Sequence, residues 1–206
     1  MNKEKLLEVF KAIHSVMVEN YDLLISLDAR YGDGDLGITM SNGFKAVCDS
    51  VEATESNDLG MVLRGCSGAF NTAAPSTLGT LFSFWLMGMA KTLKGNEEAD
   101  LAMVADAMLD GINVMMQRGK SAPGEKTIID SILPGAEALK ANADKGVEEA
   151  VKAACAAAVA GLEATRNMVG KHGRIAYYGE KTLGDEDAGA TAGMLLFKAM
   201  EGYYVR

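Results

Sequence analysis

Arg174-Ile175-Ala176-Tyr177-Tyr178 is the one stretch of this chain that reads as a β-strand. It is short, and no alternating apolar and polar run elsewhere offers it a partner. A lone strand makes no sheet, so the fold class is all-α. Outward from that segment, helical spacing dominates. Leu6, Val9, Phe10, Ile13 and Met17 recur at intervals of three and four, which predicts a helix over about 3–20. Leu23, Leu24 and Leu27 form a short apolar piece. Further helices are expected over 37–47, 59–70, 78–90, 103–115, 127–141, 147–168 and 191–202, about eight in all. The segment over 147–168 is Ala-rich, and Ala154, Ala158 and Gly161 give it a smooth contact face. Unusual residues collect in loops at 28–37, 71–79, 119–127 and 171–189. Loops held by a rigid scaffold are where sites are built.

The chain has 206 residues with no repeat or linker to divide it, so one domain over 1–206 is expected. Aromatic residues are only 6%, while Met, Ala and Gly abound, and such a core suits closely packed helices. The formal net charge of −8 argues against a nucleic acid partner, which needs clustered Lys and Arg. A phosphorylated ligand would need local neutralisation, most simply by a divalent cation. Cys48, Cys66 and Cys155 are far apart and odd in number, the pattern of buried thiols in a reducing compartment. No apolar run suggests a leader or a membrane span. A cytoplasmic location without a membrane partner is expected.

The acidic loop is Asp28-Ala29-Arg30-Tyr31-Gly32-Asp33-Gly34-Asp35. Three carboxylates in one turn repel one another, and a hard cation with oxygen ligands offsets that. A helix starting just past Leu36 would turn its free amides toward a phosphate. The composition alone fits a plain Asp/Gly surface turn equally well. An EF-hand does not fit, because the twelfth position from Asp33 is Phe44 where Glu is required. Gly119-Lys120-Ser121-Ala122-Pro123-Gly124-Glu125-Lys126-Thr127 resembles a Walker A loop with one residue too many. No strand precedes it, so it is not one. Taken alone, it is a helix connector with Lys120 and Lys126 in solvent.

These loops, in order, resemble the L subunit of dihydroxyacetone kinase. The resemblance is carried by Gly32-Asp33-Gly34-Asp35-Leu36-Gly37, the run from Arg118 to Thr127, Gly173-Arg174-Ile175-Ala176-Tyr177, and the run from Gly184 to Thr191. It covers essentially the whole chain, and the order of the motifs makes it specific. It implies an antiparallel barrel of eight α-helices with a nucleotide at one end. It implies Asp28, Asp33 and Asp35 as ligands of two Mg²⁺ ions. Gly37, Ile38, Thr39, Ser76 and Thr77 would face phosphates, and Gly119 and Ile128 the adenine. Arg174, Asp187 and Gly189 would close the nucleotide site. Arg174 has a planar fork suited to phosphate oxygens.

The implied activity is phosphoryl transfer from ATP or ADP-bound phosphate to dihydroxyacetone or a related short ketose held on a separate K subunit. Two versions share these motifs. In one, ATP is the donor; in the other, ADP stays bound and is rephosphorylated by a phosphotransferase-system M subunit. A homodimer is compatible with either. The chain departs from the family pattern at Leu36, where many members have His, and at Ala74-Pro75-Ser76-Thr77-Leu78-Gly79. Those departures motivate a second reading, a nucleotide-sensing regulatory module without phosphate transfer. No nucleophile of the chain's own is evident. His14 lies on the first helix and His172 in the Arg174 loop.

Overall fold

Helix starts are set by polar side chains that take up free amides. In the computed structural model, which describes residues 1–205, Asn2, Asp58, Ser76, Asp100 and Asp187 each accept from the N–H three residues on. Such a cap contributes about 1 kcal/mol. They open helices α1 (Lys3–Glu19), α4 (Leu59–Ala73), α5 (Thr77–Thr92), α6 (Leu101–Gly119) and α9 (Ala188–Tyr204). The remaining helices are α2 (Tyr21–Asp28), α3 (Leu36–Ala53), α7 (Ile129–Ala141) and α8 (Val147–Ala164). The described residues thus form an all-α helix bundle with nine α-helices and no strand.

The strand reading of Arg174-Ile175-Ala176-Tyr177-Tyr178 is corrected. It belongs to a 3-10 segment, Arg174–Thr182, entered through Gly173 at φ 69 and broken at Gly179. With no partner ladder, its amides turn back on their own chain. Its tyrosines lie outward, Tyr177 at 91% exposure. The Leu23, Leu24, Leu27 piece is a helix in its own right, α2.

Each helix packs on its successor from α3 through α9, and α9 returns to α1, which packs on α3. The short α2 lies against α3 and α9. Among the described residues no helix is long and apolar enough to cross a membrane. An aromatic cluster fixes α3, α4 and α5. Phe70 stacks on Phe82 with centroids 5.3 Å apart, and Phe44 meets Phe70 edge-on at 5.4 Å. Such pairs add about 0.5–1.5 kcal/mol each beyond burial. All three cysteines are free and buried, and burial pushes the Cys66 thiol up to about 12.

Helices α7 and α8 approach closely because both give up bulk. Ala150, Ala154 and Ala158 are buried on α8. A methyl on Gly161 would stand 2.0 Å from the Asp130 carbonyl oxygen. That carbonyl lies one helical turn before Pro134, which has no N–H to offer it. The contact matters for function, because α7 and the turn before it form one wall of the cleft described below.

Gly161→Ala is expected to destabilise by about 1–3 kcal/mol through overpacking. The exposed Gly68→Ala, with nothing within 4 Å of its added methyl, should gain about 0.5–1 kcal/mol from helix propensity. Urea unfolding of the two variants checks the opposite signs.

Candidate functional site

Asp28 ends α2, Asp35 occupies the cap position of α3, and Asp33 lies between them. One carboxylate oxygen from each falls within 4.8 Å of the others. The backbone makes this possible. Gly34 takes φ +73, and a side chain on Gly32 would begin 2.1 Å from the Asp28 carboxylate. The Asp35 N–H donates to Asp28 Oδ2 at 3.0 Å. Unlike Asp58, Asp100 and Asp187, Asp35 does not cap its helix with its side chain. Its carboxylate joins the cluster instead. Burial first, then the charges of Asp33 and Asp28, raise its pKa. Arg174 pairs with the cluster, with Nη2 2.7 Å from Asp33 Oδ2.

The cluster lines a cleft of about 1060 Å³, roomy enough for a cofactor-sized ligand. Of the expected site residues, Asp28, Asp33, Asp35, Ser76, Thr77, Gly119, Ile128, Arg174, Asp187 and Gly189 all line it. They come from four loops distant in sequence. Apolar surface from Leu78, Leu81, Phe84 and Met115 adjoins these polar groups. Ser76 Oγ caps α5 by accepting from the Gly79 N–H at 3.0 Å.

Gly37, Ile38 and Thr39 fall outside the cleft lining. Gly37 is packed against α2, where an added methyl would meet the Tyr21 carbonyl at 2.5 Å. Ile38 faces out at 45% exposure. Thr39 acts one step back, donating its hydroxyl to Ser76 Oγ at 3.0 Å. Leu36, at the position of the family's His, is buried but reaches the cleft wall. His14 is not part of the lining.

Three groups escape a residue-by-residue reading of the sequence. Lys120 is exposed, as a connector reading expects, but Lys126 is only 1% exposed and points inward. Asp130 is also buried; its carboxylate accepts from the N–H groups of Gly124 at 2.5 Å and Thr127 at 2.8 Å. It thereby shapes the loop that mimics a P-loop. An Asp at the opening turn of a helix was the available signal. Glu125 Oε2 lies 2.6 Å from His172 Nε2 and also accepts from the Ala122 N–H. His172 and then Ala122 hold the Glu125 carboxyl below its usual range. This pair ties the 119–127 loop to the loop carrying Arg174.

Asp187 is buried while capping α9, accepting from the Ala190 N–H at 2.7 Å. Burial pushes its pKa up to about 7, against the pull of that amide and of Lys126.

Residues 30–202 match the DAK2 domain family. The chain is similar to the ADP-binding subunit DhaL of the PEP-dependent dihydroxyacetone kinase of Escherichia coli K12, at 28% identity over 87% of this chain and 86% of that one. It is 33% identical to the DhaL subunit of PEP-dependent dihydroxyacetone kinase 1 of Listeria innocua, over 88% of this chain and 87% of that one. Against the L-erythrulose 1-kinase of Mycolicibacterium smegmatis it is 30% identical over 96% of this chain, but spans only 35% of that protein. The crystal structure of the dihydroxyacetone kinase of C. freundii in its native form has the same fold. Its TM-score is 0.77 at 23% identity, covering 97% of this chain and 34% of that one.

Asp187 makes a pH prediction. Its carboxyl titrates near 7 folded and near about 3.9 unfolded. Folding therefore takes up a proton between those values. The stability it contributes is complete below about pH 4 and is lost as pH rises through about 7. Asp187→Asn keeps an oxygen for the cap and cannot ionise. Its melting temperature relative to the parent should rise by at least about 3 °C between pH 5 and pH 8. Parallel pH profiles for the two proteins would refute the assignment.

Proposed function

Because this chain belongs to the DAK2-domain family, we propose that it is the nucleotide-binding subunit of a dihydroxyacetone-type kinase, transferring a phosphoryl group to dihydroxyacetone or a related short ketose bound on a separate K subunit. The observation that carries this reading is the gathering of Asp28, Asp33 and Asp35 on one wall of a large cleft. Three hard oxygen donors, one of them with a raised pKa, suit magnesium and fit poorly with an unliganded surface turn. On this reading residues 1–206 act as one domain working in the cytoplasm. The return of α9 to α1 supports an eight-helix barrel with α2 as an added helix.

Asp28, Asp33 and Asp35 would hold two Mg²⁺ ions. The metal supplies charge neutralisation to the phosphates during transfer. Arg174, exposed and paired with Asp33, would offer its guanidinium to a phosphate oxygen. Ser76 and Thr77, at the start of α5, offer a helix N-terminus to phosphate. Gly119 and Ile128 would border the adenine, with Asp187 and Gly189 closing the opposite wall. On this reading the chain supplies no nucleophile of its own. His172 is engaged by Glu125, and the chain's contribution is positioning and electrostatics.

The donor is either exchanging ATP or a resident ADP rephosphorylated by an M subunit. The likeness to two PEP-dependent DhaL subunits over nearly their full length favours the resident ADP.

Thermal shift tests the ligand. At a hundred times Kd, Mg·ADP should add about 2.7 kcal/mol, or about 5–10 °C for a chain of this size. ADP with chelator should add nothing. Asp35→Asn should abolish the metal-dependent shift without lowering the ligand-free melting temperature, since it relieves repulsion. No shift with Mg·ADP or Mg·ATP, in protein first unfolded and refolded to strip any bound nucleotide, would sink the nucleotide reading. ADP surviving dialysis of the purified protein would eliminate the exchanging-ATP version. Sugar phosphate formed with an added K subunit would eliminate a purely regulatory role.

A further inference from the structure

Lys126 is one of the largest fully buried side chains of the protein. It has no ion-pair partner among the described residues. Its ammonium donates to three main-chain carbonyls, Thr165 at 2.7 Å, Thr182 at 2.9 Å and Asp185 at 2.6 Å. Three acceptors satisfy all three donors of an ammonium. They belong to three places: the turn after α8, the end of the 3-10 segment, and the loop before α9. Burial lowers the lysine's pKa, opposed by the nearby charges of Asp187 and Asp185.

This is a costly arrangement for a connector. An ammonium whose direct acceptors are all neutral carbonyls, with the charges of Asp187 and Asp185 nearby but unpaired with it, gives up hydration that those acceptors only partly replace. Lys126 also sits at φ 60, a conformation that glycine adopts more freely. What such a residue contributes is the placement of the atoms it holds.

The Asp185 carboxylate leads outward from this knot. It accepts from Tyr31 Oη at 2.7 Å and from Arg30 Nη1 at 3.3 Å. Tyr31 and Arg30 lie between Asp28 and Asp33 in the acidic loop. Tyr31 is held further by an edge contact with Tyr178, centroids 4.9 Å apart.

We propose that Lys126 is a positioning residue for the acidic loop: it fixes the main chain at Asp185, whose carboxylate holds Tyr31 and Arg30 and so keeps Asp28 and Asp33 on the same wall of the cleft. The role rests on the metal–nucleotide reading above. It assigns work to a residue that need not touch the nucleotide's phosphates, and it links the 119–127 loop to the metal loop through main-chain carbonyls.

The test is a double-mutant cycle with Tyr31→Phe and Lys126→Met, with Lys126→Arg as the second Lys126 variant should the Met variant not fold. Mg·ADP affinity is measured by calorimetry where circular dichroism shows each variant folded. Amide hydrogen exchange of residues 29–35 is followed without ligand. Each single variant should bind Mg·ADP about 3- to 10-fold more weakly, the size expected for loss of one ordering hydrogen bond. The double variant should be no weaker than the weaker single, and exchange in the acidic loop should quicken in the Lys126 variant although the substitution is remote in sequence. A Lys126 variant that melts earlier but keeps its Mg·ADP affinity within about twofold would reduce Lys126 to a structural residue and overturn the proposal. Additive losses would overturn it too. A parent protein that, once stripped of any bound nucleotide and refolded, does not bind Mg·ADP would overturn the nucleotide reading together with this role, an outcome distinct from the other two.

Discussion

Repulsion among Asp28, Asp33 and Asp35 constrains everything at this end of the molecule. The three carboxylates lie within 4.8 Å of one another, and at Asp35 burial, then the charges of Asp33 and Asp28, raise the pKa. The backbone could relieve the repulsion by letting the side chains diverge. It does not, because Gly32 leaves room for Asp28, the Asp35 amide bonds Asp28 Oδ2, and the loop is anchored at both ends by helices. The cap position of α3 is the clearest sign of where the free energy goes. A carboxylate able to satisfy a helix amide, as Asp58 and Asp187 do, is spent on the cluster instead.

Holding such a loop needs a rigid surround, and the surround is polar. Asp130 shapes the 119–127 loop, Asp187 caps α9, and Lys126 gathers three carbonyls. Lys126 and Asp187 form part of the cleft lining and Asp130 braces the loop beside it, all three apart from the aromatic core of Phe44, Phe70 and Phe82. Apolar side chains fill space well but aim nothing. Satisfied polar groups fix direction, at the cost of the desolvation seen in the raised pKa of Asp187.

The helices were legible because apolar periodicity is a local property. Leu6, Val9, Phe10, Ile13 and Met17 are all buried on α1. The acidic cluster was legible too, since its members lie within eight residues. Lys126 was not, because its burial is decided by carbonyls 39 to 59 residues further along. Periodicity also misjudged Arg174–Tyr178, whose β-branched and aromatic residues suit a strand that nothing pairs with. Asp187 and Arg174 stood out only through family likeness. That likeness also nominated Gly37 and Ile38, which this structure keeps out of the cleft lining. Gly37 is needed there for the close approach of α2, a packing demand that sequence comparison does not separate from a ligand contact.

Arg174 joins these strands of reasoning. It is exposed and sits on a 3-10 segment with glycines at both of its bends, so it can move at little cost. Its partner Asp33 is the most exposed of the three carboxylates. An exposed ion pair is worth roughly 0–1 kcal/mol, far less than a divalent cation gains from three carboxylates. On the proposed reading, a cation held by the three carboxylates would leave Arg174, which already lines the cleft, free to face a phosphate. An acidic protein that admits a polyphosphate would thereby keep one positive charge beside its neutralised carboxylates.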